Sequence, residues 1–210
     1  MFYRKRLKNL GIFIPSRNDP VNEHMPSKKI GIVGMPGSGK STAADFLKDE
    51  RNAVIICMGN IVREQVQNEG LPVNAENLGR MAEELRKKHG PGIIAELTAK
   101  KVESIPDKNA LIIIDGIRSM DEVNSFRKRW PLHILAIYSP PRVRHERLKK
   151  RKRDDDIIDD SYFQLRDSRE LGFGIGDVIA LADAAVINDE NTSEKQFKHE
   201  LLKVIDGLVS

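Results

Sequence analysis

The sequence has one cysteine, Cys57, in 210 residues. No disulfide can close within the chain, and a reducing cytoplasm is its natural setting. The five histidines lie far apart, in no His-x-x-x-His or Cys–His spacing, so no zinc site is expected. No run of about 18 apolar residues occurs, which excludes a membrane-spanning segment of that kind. Aromatic residues make up only 5%, leaving few rings to stack on nucleobases. Excess charge of one sign is also missing, since the net charge is +4. Arg4, Lys5, Arg6, Lys8 and Arg17 against Asp19 and Glu23 place three of those four charges in residues 1–24. The rest of the chain is near neutral, so overall charge does not argue for a nucleic-acid partner.

What is present is enough for one domain. The length exceeds the roughly 150 residues of a typical domain by less than half, and 40% of the residues are hydrophobic. Residues 1–24 read as a basic tail. Their apolar piece, Leu10 to Pro15, is broken by Gly11 and too short for a signal-peptide core. An amphipathic membrane anchor is opposed by Gly11, Pro15 and Pro20. Translation starting at Met25 is the other reading. The body then spans 25–210.

Within the body, apolar runs alternate with helical patterns. Ile30–Val33, Ala53–Cys57, Leu111–Ile114, His133–Tyr138 and Ala184–Ile187 are short and almost uninterrupted, as parallel strands buried on both faces are. Leu78, Met81, Ala82 and Leu85 recur at i, i+3, i+4 and i+7, one stripe of a helix. Gly90-Pro91-Gly92 separates two helices. Ser193 with Gln196 three residues on forms a capping box before Phe197, Leu201, Val204 and Leu208. Strand alternating with helix predicts an α/β fold with right-handed crossovers.

The most specific pattern follows the first strand. Gly34-Met35-Pro36-Gly37-Ser38-Gly39-Lys40-Ser41-Thr42 matches G-x-x-x-x-G-K-[ST] at every fixed position. An apolar strand precedes it and a helix over Ser41–Lys48 is expected after it. The glycines let successive backbone N–H groups point at phosphate oxygens, and the helix N-terminus adds its dipole. Lys40 would reach the β- and γ-phosphates of ATP, and the Ser41 hydroxyl would ligate Mg²⁺. Asp115 ends the apolar run Leu111–Ile114. An acid there suits a second contact to Mg²⁺, directly or through water, or deprotonation of an acceptor; a plain strand-ending turn is the alternative.

These motifs carry a resemblance. The loop 34–42 resembles that of adenylate kinases. Met58-Gly59-Asn60-Ile61-Val62-Arg63 resembles their Gly-Asp-x-Leu-Arg segment, and Asp115-Gly116-Ile117-Arg118 their Asp-Gly-Phe-Pro-Arg. Arg147 to Arg153 and Ala182 to Asn188 look more like dephospho-coenzyme A kinases. From about Lys28 onward the chain is similar to an archaeal family of P-loop kinases, of unassigned acceptor, related to both. The resemblance implies a three-layer P-loop sandwich of the nucleoside monophosphate kinase type, with about five parallel strands in the order 2-3-1-4-5. It implies that Arg63 and Arg118 bind the acceptor's phosphate, that 59–105 forms a helical acceptor-binding insertion, and that the loop from Asn188 lies against adenine. Asn60 departs from the family's Asp. Asn takes up no proton, so the catalytic base is missing or elsewhere.

Arg142 to Arg153 holds eight basic side chains and one acid, followed by Asp154-Asp-Asp156. Charge runs are often solvated helix faces. The kinase reading makes about 142–176 a lid, with Arg147 and Arg151 one turn apart as groups for the transferring phosphoryl. Arg166 and Arg169 are second candidates, and Gly172, Gly174 and Gly176 candidate hinges. Nucleic-acid binding is a third reading, with only Tyr162, Phe163 and Phe173 nearby for stacking. Asn-Lys-x-Asp for guanine and the Ser-Gly-Gly signature of ATP-binding cassettes are absent. The expectation is therefore a cytoplasmic, Mg²⁺-dependent kinase that transfers the ATP γ-phosphoryl to a small acceptor. A nucleoside monophosphate is the first choice and dephospho-coenzyme A the second. An ATPase switch or a polynucleotide 5′-hydroxyl kinase are the alternatives.

Overall fold

Short Ile- and Val-rich runs stay buried only when they pair side by side and take helices on both faces. In the computed structural model, which describes residues 28–151 and 160–210, five such runs form one sheet. In chain order the elements are β1 (Lys29–Val33), α1 (Lys40–Arg51), β2 (Val54–Cys57), α2 (Met58–Asn68), α3 (Ala75–His89), α4 (Ile93–Glu103), β3 (Ile112–Asp115), α5 (Met120–Arg127), β4 (His133–Tyr138), α6 (Pro141–Arg151), α7 (Asp160–Gly172), α8 (Ile175–Ala180), β5 (Ala184–Ile187) and α9 (Glu194–Leu208). Every strand pair is parallel, and the order β2-β3-β1-β4-β5 is the one the resemblance implies. The tail, 1–24, lies outside the described residues.

Alternate residues of a strand point to opposite faces, and this sorts the core into two layers. Ile30, Ile32, Ile113, Leu135 and Ile137 pack on α1 and α9 through Ala43, Leu47, Phe197, Leu201 and Ile205. Val33, Ile112, Ile114, Ile134 and Ala136 pack on the other face through Val62, Ile94, Ala99, Phe126 and Val178, from α2, α4, α5 and α8. The stripe Leu78, Met81, Ala82 and Leu85 of α3 joins that second layer. Helices α2, α3 and α4 fill the stretch between β2 and β3. Among the described residues no helix is long and apolar enough to cross a membrane.

β1 starts one residue early, at Lys29, and β3 one late, at Ile112, and two further strand boundaries differ from expectation for local reasons. Ala53 is left out of β2 because its N–H bonds the Leu47 carbonyl, closing α1 through Asn52 at φ 50°. Asp115, expected just beyond β3, is its last residue, in register with Ile32 of β1 and Cys57 of β2. The capping box at Ser193 and the break at Gly90–Gly92 are present.

Phe126 has no exposed surface, and its ring lies 6.1 Å from that of Trp130. Phe126→Ala should cost about 3–5 kcal/mol, read as a lower urea midpoint at unchanged m. A loss under ~1 kcal/mol would show that the layer collapses to fill the space.

Candidate functional site

β1 stops at Val33, and the chain turns through residues 34–39 into α1. The turn is held by Ser38 N–H on the Met35 carbonyl (3.1 Å) and by Ala43 N–H on the Gly39 carbonyl (3.0 Å). Gly39 sits at φ 106°, and a Cβ on it would collide with the Asn188 amide nitrogen. Only glycine fits there on both counts. No side chain caps α1, and its first turn holds no acid. The N–H groups that a helix leaves unpaired are therefore not claimed by a capping side chain.

Lys40 folds back over the loop. Its Nζ donates to the Gly34 carbonyl at 2.7 Å and to the Met35 carbonyl at 3.3 Å. Burial pulls the Lys40 pKa below its ordinary value, while the charges of Asp115 and Glu170 act to raise it and those of Arg118 and Arg166 to lower it. Burial pushes the Asp115 carboxyl above the ordinary carboxylate range, against Lys40, Arg118 and the Gly116 N–H. Asp115 ends β3 and Lys40 folds back over the loop that follows β1, at the carboxyl ends of the strands where ligands of open α/β sheets bind, and the charges of Arg118, Arg166 and Glu170 reach Lys40.

Two buried oxygens here lack a hydrogen-bond partner, Asp115 Oδ1 and Ser38 Oγ. An orphaned carboxylate oxygen beside a phosphate loop fits a hard cation. Ser41, in the first turn of α1, supplies a hydroxyl on the same end of the sheet. Among the described residues no cluster of three or more His, Cys, Asp or Glu could hold a metal unaided. A Mg²⁺ ion at Asp115 and Ser41 would complete its shell with phosphate and water oxygens.

The other predicted residues fall in three places. Arg63 is exposed on α2, and its Nη1 donates to Asn60 Oδ1 at 2.6 Å. Arg118 donates from Nε to Glu170 Oε2 at 3.0 Å, and its backbone N–H to Glu122 Oε2 at 2.8 Å. Arg147 points to the opposite edge. Its guanidinium donates to Ser139 Oγ, the Asn188 and Asp189 carbonyls and Asn188 Oδ1, at 2.9–3.3 Å. Asn188 in turn donates to the Ser38 carbonyl at 2.9 Å, so the loop after β5 is tied to the phosphate loop. Arg169 is exposed, 3.9 Å from Glu170. The side chains of Arg151 and Tyr162 lie outside the described residues, as do Lys152, Arg153 and Asp154–Asp156. Of the candidate hinges, Gly172 ends α7, Gly174 precedes α8 at φ 96°, and Gly176 is inside α8.

Glu122, Glu170 and Arg144 were not singled out from sequence, and Phe173 only as a ring that could stack on a base. Glu122 is 1% exposed and accepts from Arg86 Nη2 at 3.1 Å as well as from the Arg118 backbone. Glu170 is buried beside Arg118. Phe173 lies beneath two guanidiniums, 5.6 Å from Arg86 and 5.8 Å from Arg118. Arg144 reaches the Pro36 carbonyl of the phosphate loop. An acid four residues after Arg118 is the one visible signal for Glu122.

An AAA domain family model matches residues 33–162. The chain is 43% identical over 181 residues to the UPF0200 protein MJ1399 of Methanocaldococcus jannaschii, covering 85% of this chain and 91% of that protein. It is 40% identical over 182 residues to the UPF0200 protein PH1008 of Pyrococcus horikoshii, covering 85% and 96%. Among solved structures, TT1252 from Thermus thermophilus is similar in fold, with a TM-score of 0.60 at 17% identity over 86% of this chain and 97% of that one.

Because the Lys40 charge lowers an Asp115 pKa that burial raises, Lys40→Met should move the Asp115 titration further up. Carboxyl-carbon NMR should place the wild-type midpoint above ~3.9 and the variant's higher again. A lower midpoint in the variant would mean that the two groups do not face each other.

Proposed function

The chain belongs to the UPF0200 family, with a P-loop domain at its core, and we propose that it is a Mg²⁺-dependent kinase acting on a small nucleotide, a nucleoside monophosphate first. The observation that carries this reading is the grouping of Lys40, Asp115, Arg118, Arg166 and Glu170 around the mouth of the loop.

In this reading the loop 34–42 cradles the ATP phosphates with backbone N–H groups. Lys40 leaves the Gly34 carbonyl for a phosphate oxygen, exchanging a neutral acceptor for an anionic one. Asp115 and Ser41 would hold Mg²⁺, which would supply positive charge to offset that of the phosphates. Asn188, fixed on the Ser38 carbonyl, sets the adenine side. Arg147 holds that loop, and Arg151 follows one turn later on α6. Arg63 and Arg118 take the acceptor's phosphate, and their planar forks suit bidentate contact. Asn60 supports a phosphate acceptor over a hydroxyl one. A phosphate monoester is largely dianionic at neutral pH, with a second pKa of about 6, so attack by its oxygen needs no protein base.

Transfer of labelled γ-phosphate from Mg-ATP tests this. Nucleoside monophosphates, dephospho-coenzyme A and a 5′-hydroxyl RNA are offered in parallel. Label should enter a nucleoside monophosphate, and Lys40→Ala should lower turnover by about 100-fold or more. Label released only as inorganic phosphate, at one rate with every acceptor, would replace the kinase with an ATP-hydrolysing switch. Arg63→Ala should raise the acceptor KM about tenfold with the ATP KM within ~twofold. Equal effects on both would remove Arg63 from the acceptor site.

A further inference from the structure

A basic helix is expected to turn its arginines to solvent or to phosphate. Arg144 on α6 does neither. It is 3% exposed. Its Nε donates to the Ser139 carbonyl at the end of β4 (3.2 Å), and Nη1 donates to the Pro36 carbonyl (3.0 Å). Nη1 and Nη2 also form a fork onto Asp167 of α7, at 2.9 Å and 2.6 Å. Phe163 covers the guanidinium at 5.2 Å and stacks on His145 at 4.7 Å. The backbone is tied in as well, because the Arg144 carbonyl oxygen is the nearest atom a Cβ on Gly37 would meet, at 2.8 Å.

This is an unusual use of a charged side chain. A buried fork fixes the planes of both partners, and water does not screen it. Its cost is desolvation, which such pairs recover only with good geometry and further hydrogen bonds. Here every arm of the guanidinium has a protein acceptor. The fork spans three elements that are remote in sequence: the phosphate loop, the end of β4 and α7. Asp167 directly follows Arg166, a half-buried residue whose charge acts on Lys40. Holding Asp167 therefore holds the α7 backbone, from which Arg166 projects, relative to the loop.

We propose that Arg144 and Asp167 are positioning residues, a clamp that registers Arg166 against the phosphate loop and makes Arg166 the α7 arginine that meets the transferring phosphoryl group. The role of Arg166 rests on the kinase reading; the clamp rests on geometry alone. Arg169, on the same helix, is exposed and lies 3.9 Å from Glu170.

Two measurements separate these parts. The first is hydrogen exchange on the protein without nucleotide. Asp167→Asn keeps the side chain's shape and removes its charge. The amides of Met35, Gly37 and Ser38 should then exchange about tenfold faster or more, with β1 and α9 as in wild type. Unchanged exchange at those amides would overturn the clamp whatever the enzyme does. The second is single-turnover consumption of Mg-ATP, by transfer or by hydrolysis. Asp167→Asn should slow it about tenfold or more, with affinity for a non-hydrolysable ATP analogue within ~threefold. Arg166→Ala should add little in the Asp167→Asn background; multiplicative losses would overturn the assignment of Arg166. Arg144→Lys keeps the charge without the fork and should behave as Asp167→Asn does, while full activity there would refute the clamp. If wild type consumes no ATP, the kinase reading and the role of Arg166 fall, and the exchange result still decides the clamp.

Discussion

An ammonium group drawn out of water must be met by acceptors, and the whole site is arranged around meeting one. Lys40 lies on the Gly34 and Met35 carbonyls, with the Asp115 and Glu170 charges acting on it. Each of those acceptors is fixed by something else. Gly34 follows the central strand β1, and Asp115 is pinned by register between Ile32 and Cys57. Glu170 is held by Arg118. Removing water from such a cluster strengthens every interaction within it, favourable and unfavourable alike. The opposed shifts of Lys40 and Asp115, one downward and one upward, are the mark of that unfinished balance.

The arginines divide into those bound away from Lys40 and those whose charge acts on it. Arg86 and Arg144 are committed to Glu122 and Asp167, and Arg147 to the loop after β5. Arg118 and Arg166 stand near Lys40. Arginine suits both uses because its fork gives directional contacts as well as charge. The loop after β5 and α6 are joined to the same six-residue turn, through Asn188 on the Ser38 carbonyl and Arg144 on the Pro36 carbonyl.

The sheet was legible because its signals are local. Each strand is a short run of β-branched residues, and loop 34–42 needs fixed residue types at fixed spacing. Lys40 and Asp115 could be paired from sequence because one follows, and the other ends, a strand in the same sheet. Arg144 could not be told from its neighbours. In Arg142-Val-Arg-His-Glu-Arg, a residue buried against Pro36 and one exposed to solvent look alike, and only the packing of Phe163 and Asp167 separates them. Arg147 stood in a pattern that fits a lid, yet the described structure shows its guanidinium on the Asn188 carbonyl. Glu122 and Glu170 were hidden for the opposite reason. Acids near a helix start or within a charged helix are ordinary, and their burial is a tertiary fact.

The strand order has a consequence for how the chain comes to be folded. β1 is the first of the described strands, yet it pairs with β3 and β4 and not with β2, its neighbour in sequence. Val33, which leads into the phosphate loop, finds its partner only in Ala136. Contacts between residues so far apart form slowly, because the chain between them must be ordered first. During synthesis from the N-terminus, the strands on either side of β1 are both present only once Tyr138 has been made. The frame that carries the loop is thus finished only after well over half of the 210 residues have been joined.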